Sequence, residues 1–132
     1  MIKTIIQFLV DHKLLVYFLF AVVTLATLML TLLPSEHLGQ SRLYRYDKLG
    51  HFTLFFSWTI VYGFLSFTKR GAENTNILVI FLAGSLFGIG IELMQWAMPF
   101  NRSLDIYDAL ADVLGSLTAA TLLKIVKVKY LT

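Results

Sequence analysis

The stretch NILVIFLAGSLFGIGIELMQWAMPFNRSLDIYDALADVLG, residues 76–115, runs apolar through its first half and then places Glu92, Gln95, Arg102, Asp105, Asp108 and Asp112 between positions 92 and 112. Helix-compatible Leu, Ile, Phe, Ala and Gly continue for about 20 residues, the length needed to cross a bilayer core, and without the strict alternation of a barrel strand. Acids at the end of one such segment and the start of the next are costly in lipid, at about 2.5–3.5 kcal/mol each near the bilayer centre, so they are expected to face one another inside a bundle.

Working outward, three further segments share this character. The pattern predicts helices over 14–33, 49–67, 76–98 and 104–126, and therefore an all-α integral membrane bundle of four transmembrane helices, one domain over residues 1–132. A hydrophobic content of 58% with only 14% charged residues excludes an ordinary soluble domain. Mean hydropathy is +0.75. No period repeats, and the connections are too short for a soluble domain. There is no cysteine, hence no disulfide and no thiolate metal site. The first apolar run lacks an A-x-A cleavage site and ends at Pro34, as a retained helix would rather than a signal peptide.

The net charge of +3 does not point to nucleic acid, because the basic residues are scattered through short loops and the tail. Lys3, Lys13, Lys69, Arg70, Lys124, Lys127 and Lys129 fall on one side of the bundle, seven against the four of Arg42, Arg45, Lys48 and Arg102. The positive-inside rule then places both termini in the cytoplasm. Lys124, Lys127 and Lys129 read as a cytoplasmic anchor. In that topology Asp47, Lys48 and His51 open the second helix, Glu92 and Gln95 close the third, and Asp105, Asp108 and Asp112 open the fourth, all on the extracytoplasmic side.

Spacing sharpens the convergence. At about 100° per residue, Asp105, Asp108 and Asp112 lie within roughly 60° of one another, and Gly84, Gly88, Glu92 and Gln95 share a stripe whose GxxxG spacing admits a close backbone. Asp47 and His51 are one turn apart, with Trp58 and Tyr62 continuing near that face. Trp96 and Tyr107 fit an interfacial belt.

The motifs DKLGH (47–51), ELMQ (92–95) and RSLDIYDALADVLG (102–115), in this order on hydrophobic helices, resemble the VanZ-like family of small bacterial membrane proteins. The resemblance implies a multi-pass protein of the bacterial cytoplasmic (inner) membrane. The family is named for a protein linked to resistance to the antibiotic teicoplanin, and most members have no assigned activity. Where the family usually has Asn, this chain has Asp112, which exchanges an amide donor for a carboxylate.

The cluster admits several chemistries. As an interhelical polar network it would set helix register. As a ligand site, composed of Asp47, Lys48, His51, Glu92, Gln95, Arg102, Asp105, Asp108 and Asp112, it would hold an anionic or amphiphilic envelope component. Arg102 and Lys48 would take a phosphate or carboxylate, and the acids amino or hydroxyl groups. The expected partners are a membrane lipid, a lipid-linked envelope intermediate or a glycopeptide-like antibiotic, alongside a homo-oligomer or membrane-protein partner. No cofactor is expected under that reading. The alternative is a metal-assisted, membrane-embedded hydrolase or transferase, with a divalent metal on Asp47, His51, Glu92 or Asp105 and with His51 and Glu92 as catalytic candidates. Neither HExxH nor a marked nucleophile accompanies them. His37, on the first outer loop, has no motif. A conduction path would require polar groups in the opposite half, which is apolar and aromatic.

Overall fold

A computed structural model describes residues 1–32, 47–98 and 105–132. Helices α1 (Ile2–Asp11), α2 (Lys13–Leu32), α3 (Asp47–Arg70), α4 (Ile77–Ala97) and α5 (Ile106–Val126) follow in order, and α5 runs on through a π-helical turn, Lys127–Leu131. Among the described residues, four helices are long and apolar enough to cross a membrane. They match the four expected segments to within a few residues. The chain is thus a multi-pass membrane protein, all-α as its sequence predicts.

The surface is apolar, unlike that of a soluble bundle, and the interior mixes apolar with polar side chains. Leu14, Phe18, Leu25, Leu78, Leu86 and Leu114 are exposed, as lipid-facing side chains should be, whereas Thr27, His51, Thr59, Glu92, Asp112 and Ser116 are buried. Trp96 and Tyr107, at the two ends that flank the acidic cluster, remain exposed.

The sequence pattern did not anticipate α1. It is a short amphipathic helix whose Ile6 is buried while Ile2, Ile5 and Phe8 stay exposed. It breaks from α2 at His12, where the ring Nδ1 lies 2.7 Å from the Phe8 carbonyl oxygen and the imidazole stacks on Phe8 at 3.9 Å. The signal was present as apolar residues at positions 2, 5, 6 and 9, with Lys3 and Gln7 between them and Asp11 after them.

The other boundaries have local causes. α3 extends past residue 67 to Arg70 and stops at Gly71, whose φ of +80° suits glycine and whose N–H donates to the Phe67 carbonyl at 2.9 Å. Asn76 caps α4 by accepting from Leu78 N at 2.9 Å, and Asp105 caps α5 in the same way from Tyr107 N. Lys127 Nζ donates to the Thr75 carbonyl at 2.8 Å, joining the end of the chain to the α3–α4 turn.

Packing centres on α3 and α5, the most extensive helix pair, with α4 against α5 and α2 against α3. The expected close approaches occur on the small residues. Gly115 lies so near α3 that a Cβ there would strike the backbone at Phe52 and Phe56. Gly84 faces Thr59 and Ser116, and a Cβ on Gly88 would come within 2.5 Å of the Asp112 Cβ. Between α2, α3 and α4, Trp58 packs on Phe20, Tyr62 and Phe87 and donates from Nε1 to Thr24 Oγ1 at 3.0 Å. In the half remote from the acids, Phe67, Ile80 and Leu123 form a buried apolar core.

Candidate functional site

The start of α3, the end of α4 and the start of α5 meet at one end of the bundle, bringing together ionisable residues up to 61 positions apart in the chain. Each helix contributes through its own periodicity. On α5, Asp105, Asp108 and Asp112 descend from the cap to the second turn; on α3, Lys48 and His51 are three apart; on α4, Glu92 follows Gly88 by one turn.

Two layers result. At the mouth, Lys48 Nζ donates to Asp105 Oδ2 at 2.7 Å and to Asp108 Oδ1 at 2.5 Å, with the Lys48 side chain 49% exposed and Asp105 36%. Lys48 thereby staples α3 to the first turn of α5, where negative charge also favours the helix dipole. Its hydrogen bond holds the Asp105 carboxyl below the ordinary aspartate range despite some desolvation, and the Tyr107 N–H adds to the effect.

Beneath the mouth lies a drier layer. His51 Nδ1 is 2.8 Å from Asp112 Oδ1 and 3.5 Å from Glu92 Oε1, while Nε2 on the other side of the ring lies 3.6 Å from Asp108 Oδ2. His51, Glu92 and Asp112 are all buried, Glu92 at 2% exposure and Asp112 at 0%. Glu92 Oε1 has no hydrogen-bond partner among the described residues. Further in, Thr59 Oγ1 donates to Ser116 Oγ at 3.1 Å and closes the polar track. Below that level the apolar core of Phe67, Ile80 and Leu123 takes over.

A family model described as VanZ/LLP1 matches residues 11–127, which takes in α2 through α5 and every residue of both layers. The chain belongs to the VanZ-like family. No curated protein and no solved structure matches it.

For this VanZ-like chain, the fold separates the sequence candidates into groups. Lys48, Asp105 and Asp108 meet at the mouth, and His51, Glu92 and Asp112 meet below it. Gln95 turns elsewhere: its amide Nε2 donates to the Thr31 carbonyl and ties α4 to α2. Of the expected metal candidates, His51 and Glu92 share the inner layer with Asp112, which was a ligand-site candidate only, while Asp105 is held at the mouth by Lys48. Arg102, Arg45, His37 and the Asp47 side chain lie outside the described residues. Two surface concavities lie away from the described cluster, one beside Asn76 and Lys124 and one on α1 beside Lys3 and Gln7.

Thr59 was missed by sequence reasoning. Its signal is a hydroxyl two turns beyond His51, close to the same stripe, on a helix that also carries Thr53, Ser57, Ser66 and Thr68 and so does not single it out. Such a threonine ordinarily bonds its own backbone, as Thr27 does to the Val23 carbonyl. Only the neighbouring Ser116 gives it an interhelical partner.

Proposed function

We propose that this protein recognises an amphiphilic component of the cell envelope at the mouth of the polar cluster, with that end of the bundle facing out of the cytoplasmic membrane and both termini inside. One observation carries the proposal: four carboxylates, Asp105, Asp108, Glu92 and Asp112, gather around one lysine and one histidine at the end of the bundle. Lys48 already serves two of these acids. At the mouth, Asp105 and Asp108 therefore offer acceptor oxygens suited to ammonium or hydroxyl groups of a head group, with Glu92 and Asp112 adding negative charge from beneath.

Arg102, in the α4–α5 connection, supplies the complementary anion-binding group for a phosphate or carboxylate on the same ligand. The half-exposed Lys48 and Asp105 side chains are reachable at the mouth, and the exposed Trp96 and Tyr107 mark the membrane boundary where such a head group would sit, its tail lying along the apolar exterior. A lipid head group, a lipid-linked intermediate and a glycopeptide-like antibiotic all have this chemistry.

Native mass spectrometry of the detergent-purified protein tests the proposal, comparing wild type with Arg102→Ala and Asp108→Asn and identifying released lipids. A defined amphiphile retained by wild type and depleted in both variants is expected. Equally folded proteins carrying only bulk membrane lipid in bulk proportions would overturn it.

A further inference from the structure

We propose that His51, Glu92 and Asp112 form a three-ligand site for a divalent first-row transition cation, with zinc as the best match. The site goes beyond the recognition of an amphiphile and does not depend on it. One imidazole nitrogen and two carboxylate oxygens lie within 4.8 Å of one another, all on buried residues. Tetrahedral zinc bonds of about 2.0–2.2 Å place neighbouring donor atoms about 3.3–3.6 Å apart. The 3.5 Å between His51 Nδ1 and Glu92 Oε1 already fits that spacing. The 2.8 Å between Nδ1 and Asp112 Oδ1 is a hydrogen-bond distance, so an entering ion displaces that proton and opens the pair by roughly 0.5–0.8 Å.

The independent observation is Glu92 itself. Its Oε1 is buried at a residue only 2% exposed, aims at the triad and has no hydrogen-bond partner among the described residues. A buried acceptor left in that state is costly, and a cation satisfies it directly. The surroundings agree. His51 Nε2 faces Asp108 Oδ2 at 3.6 Å, so a shift of less than about 1 Å would form the carboxylate–histidine hydrogen bond that orients metal-binding imidazoles, and Lys48 holds that same aspartate from its other oxygen. Gly88 removes the side chain that would keep Asp112 away from α4. The ion's charge of +2 balances the Glu92 and Asp112 carboxylates around a neutral imidazole, so the inner layer carries no net charge into the membrane. Three protein ligands leave the ion one position for an outside oxygen atom. The Asp112 carboxylate supplies the third donor atom beside the His51 nitrogen and the Glu92 oxygen.

The test uses full-length protein without a histidine tag, purified in detergent, stripped with chelator, reloaded with zinc or manganese, desalted and assayed for metal per chain. Wild type is expected to hold about one zinc ion, with at least about a tenfold loss of affinity in Glu92→Gln and Asp112→Asn and no change in His12→Ala. Folded wild type that retains less than about a tenth of an equivalent of either metal would overturn the site, as would full binding in both ligand variants. Should those variants fail to fold, zinc X-ray absorption on wild type decides. A first shell of oxygens and one imidazole supports the site, and a shell with two or three imidazoles overturns it.

Discussion

Asp105 has two structural duties: one carboxylate oxygen caps α5 through Tyr107 N, and the other accepts from Lys48. Because its carboxyl titrates lower in the folded protein than in an unfolded chain, its contribution to stability is complete above the ordinary carboxylate range and is lost as the pH falls through the depressed value. Thermal unfolding in detergent should show this as a loss of stability on acidification from pH 7 to below about 4 that is smaller in Asp105→Asn than in wild type. An equal loss in both proteins would show that the Lys48 contact contributes nothing in solution. The stripe of Asp105, Asp108 and Asp112 is legible from helical spacing alone. The partner of each acid is not, because Lys48 and His51 come from a helix about 60 residues away and their distances depend on how α3 and α5 cross.

At the scale of elements, the close approach of α3 to α5 positions both layers. A Cβ on Gly115 would meet main-chain atoms of Phe52 and Phe56, which cannot swing aside as a side chain can. Gly115→Ala should therefore cost about 1–3 kcal/mol or block assembly of the pair, whereas Gly90→Ala, with nothing within 4 Å of its added Cβ, should stay within about 0.5 kcal/mol of wild type. Unfolding midpoints and detergent-extracted yields of the two variants measure the difference. Equal behaviour would mean that α3 and α5 do not pack as described. The GxxxG pattern signalled a close neighbour for α4 but did not say which helix; the structure puts Asp112 and Ser116 of α5 there, together with Thr59 of α3. The short α1 went unread because ten residues lie well below a membrane-spanning length, and its stability comes from Ile6 packing on the bundle rather than from length.

For the whole molecule, the orientation proposed from the lysine and arginine asymmetry has a direct check, since the natural chain has no cysteine to interfere. Single cysteines at Asn74 and Thr132 should resist a membrane-impermeant thiol reagent in intact cells and react after lysis, whereas Ser41→Cys and Ser103→Cys should react from outside. The reverse pattern would turn the acidic end toward the cytoplasm and remove the envelope ligand from the proposal. The class of fold follows from the amino-acid order alone: runs of about 20 apolar residues have few other stable forms in lipid, because every backbone polar group must be bonded within its own helix. So does the polar end of the three helices that carry the cluster, since that is a matter of position along the chain. The grouping of those polar residues comes from the packed bundle, with Lys48 bound to Asp105 and Asp108, Gln95 turned to α2, and His51 directing one ring nitrogen at both Glu92 and Asp112. Helix rotation and crossing are set by contacts at glycines and hydroxyls distributed over three helices, and those contacts exist only once the helices have packed.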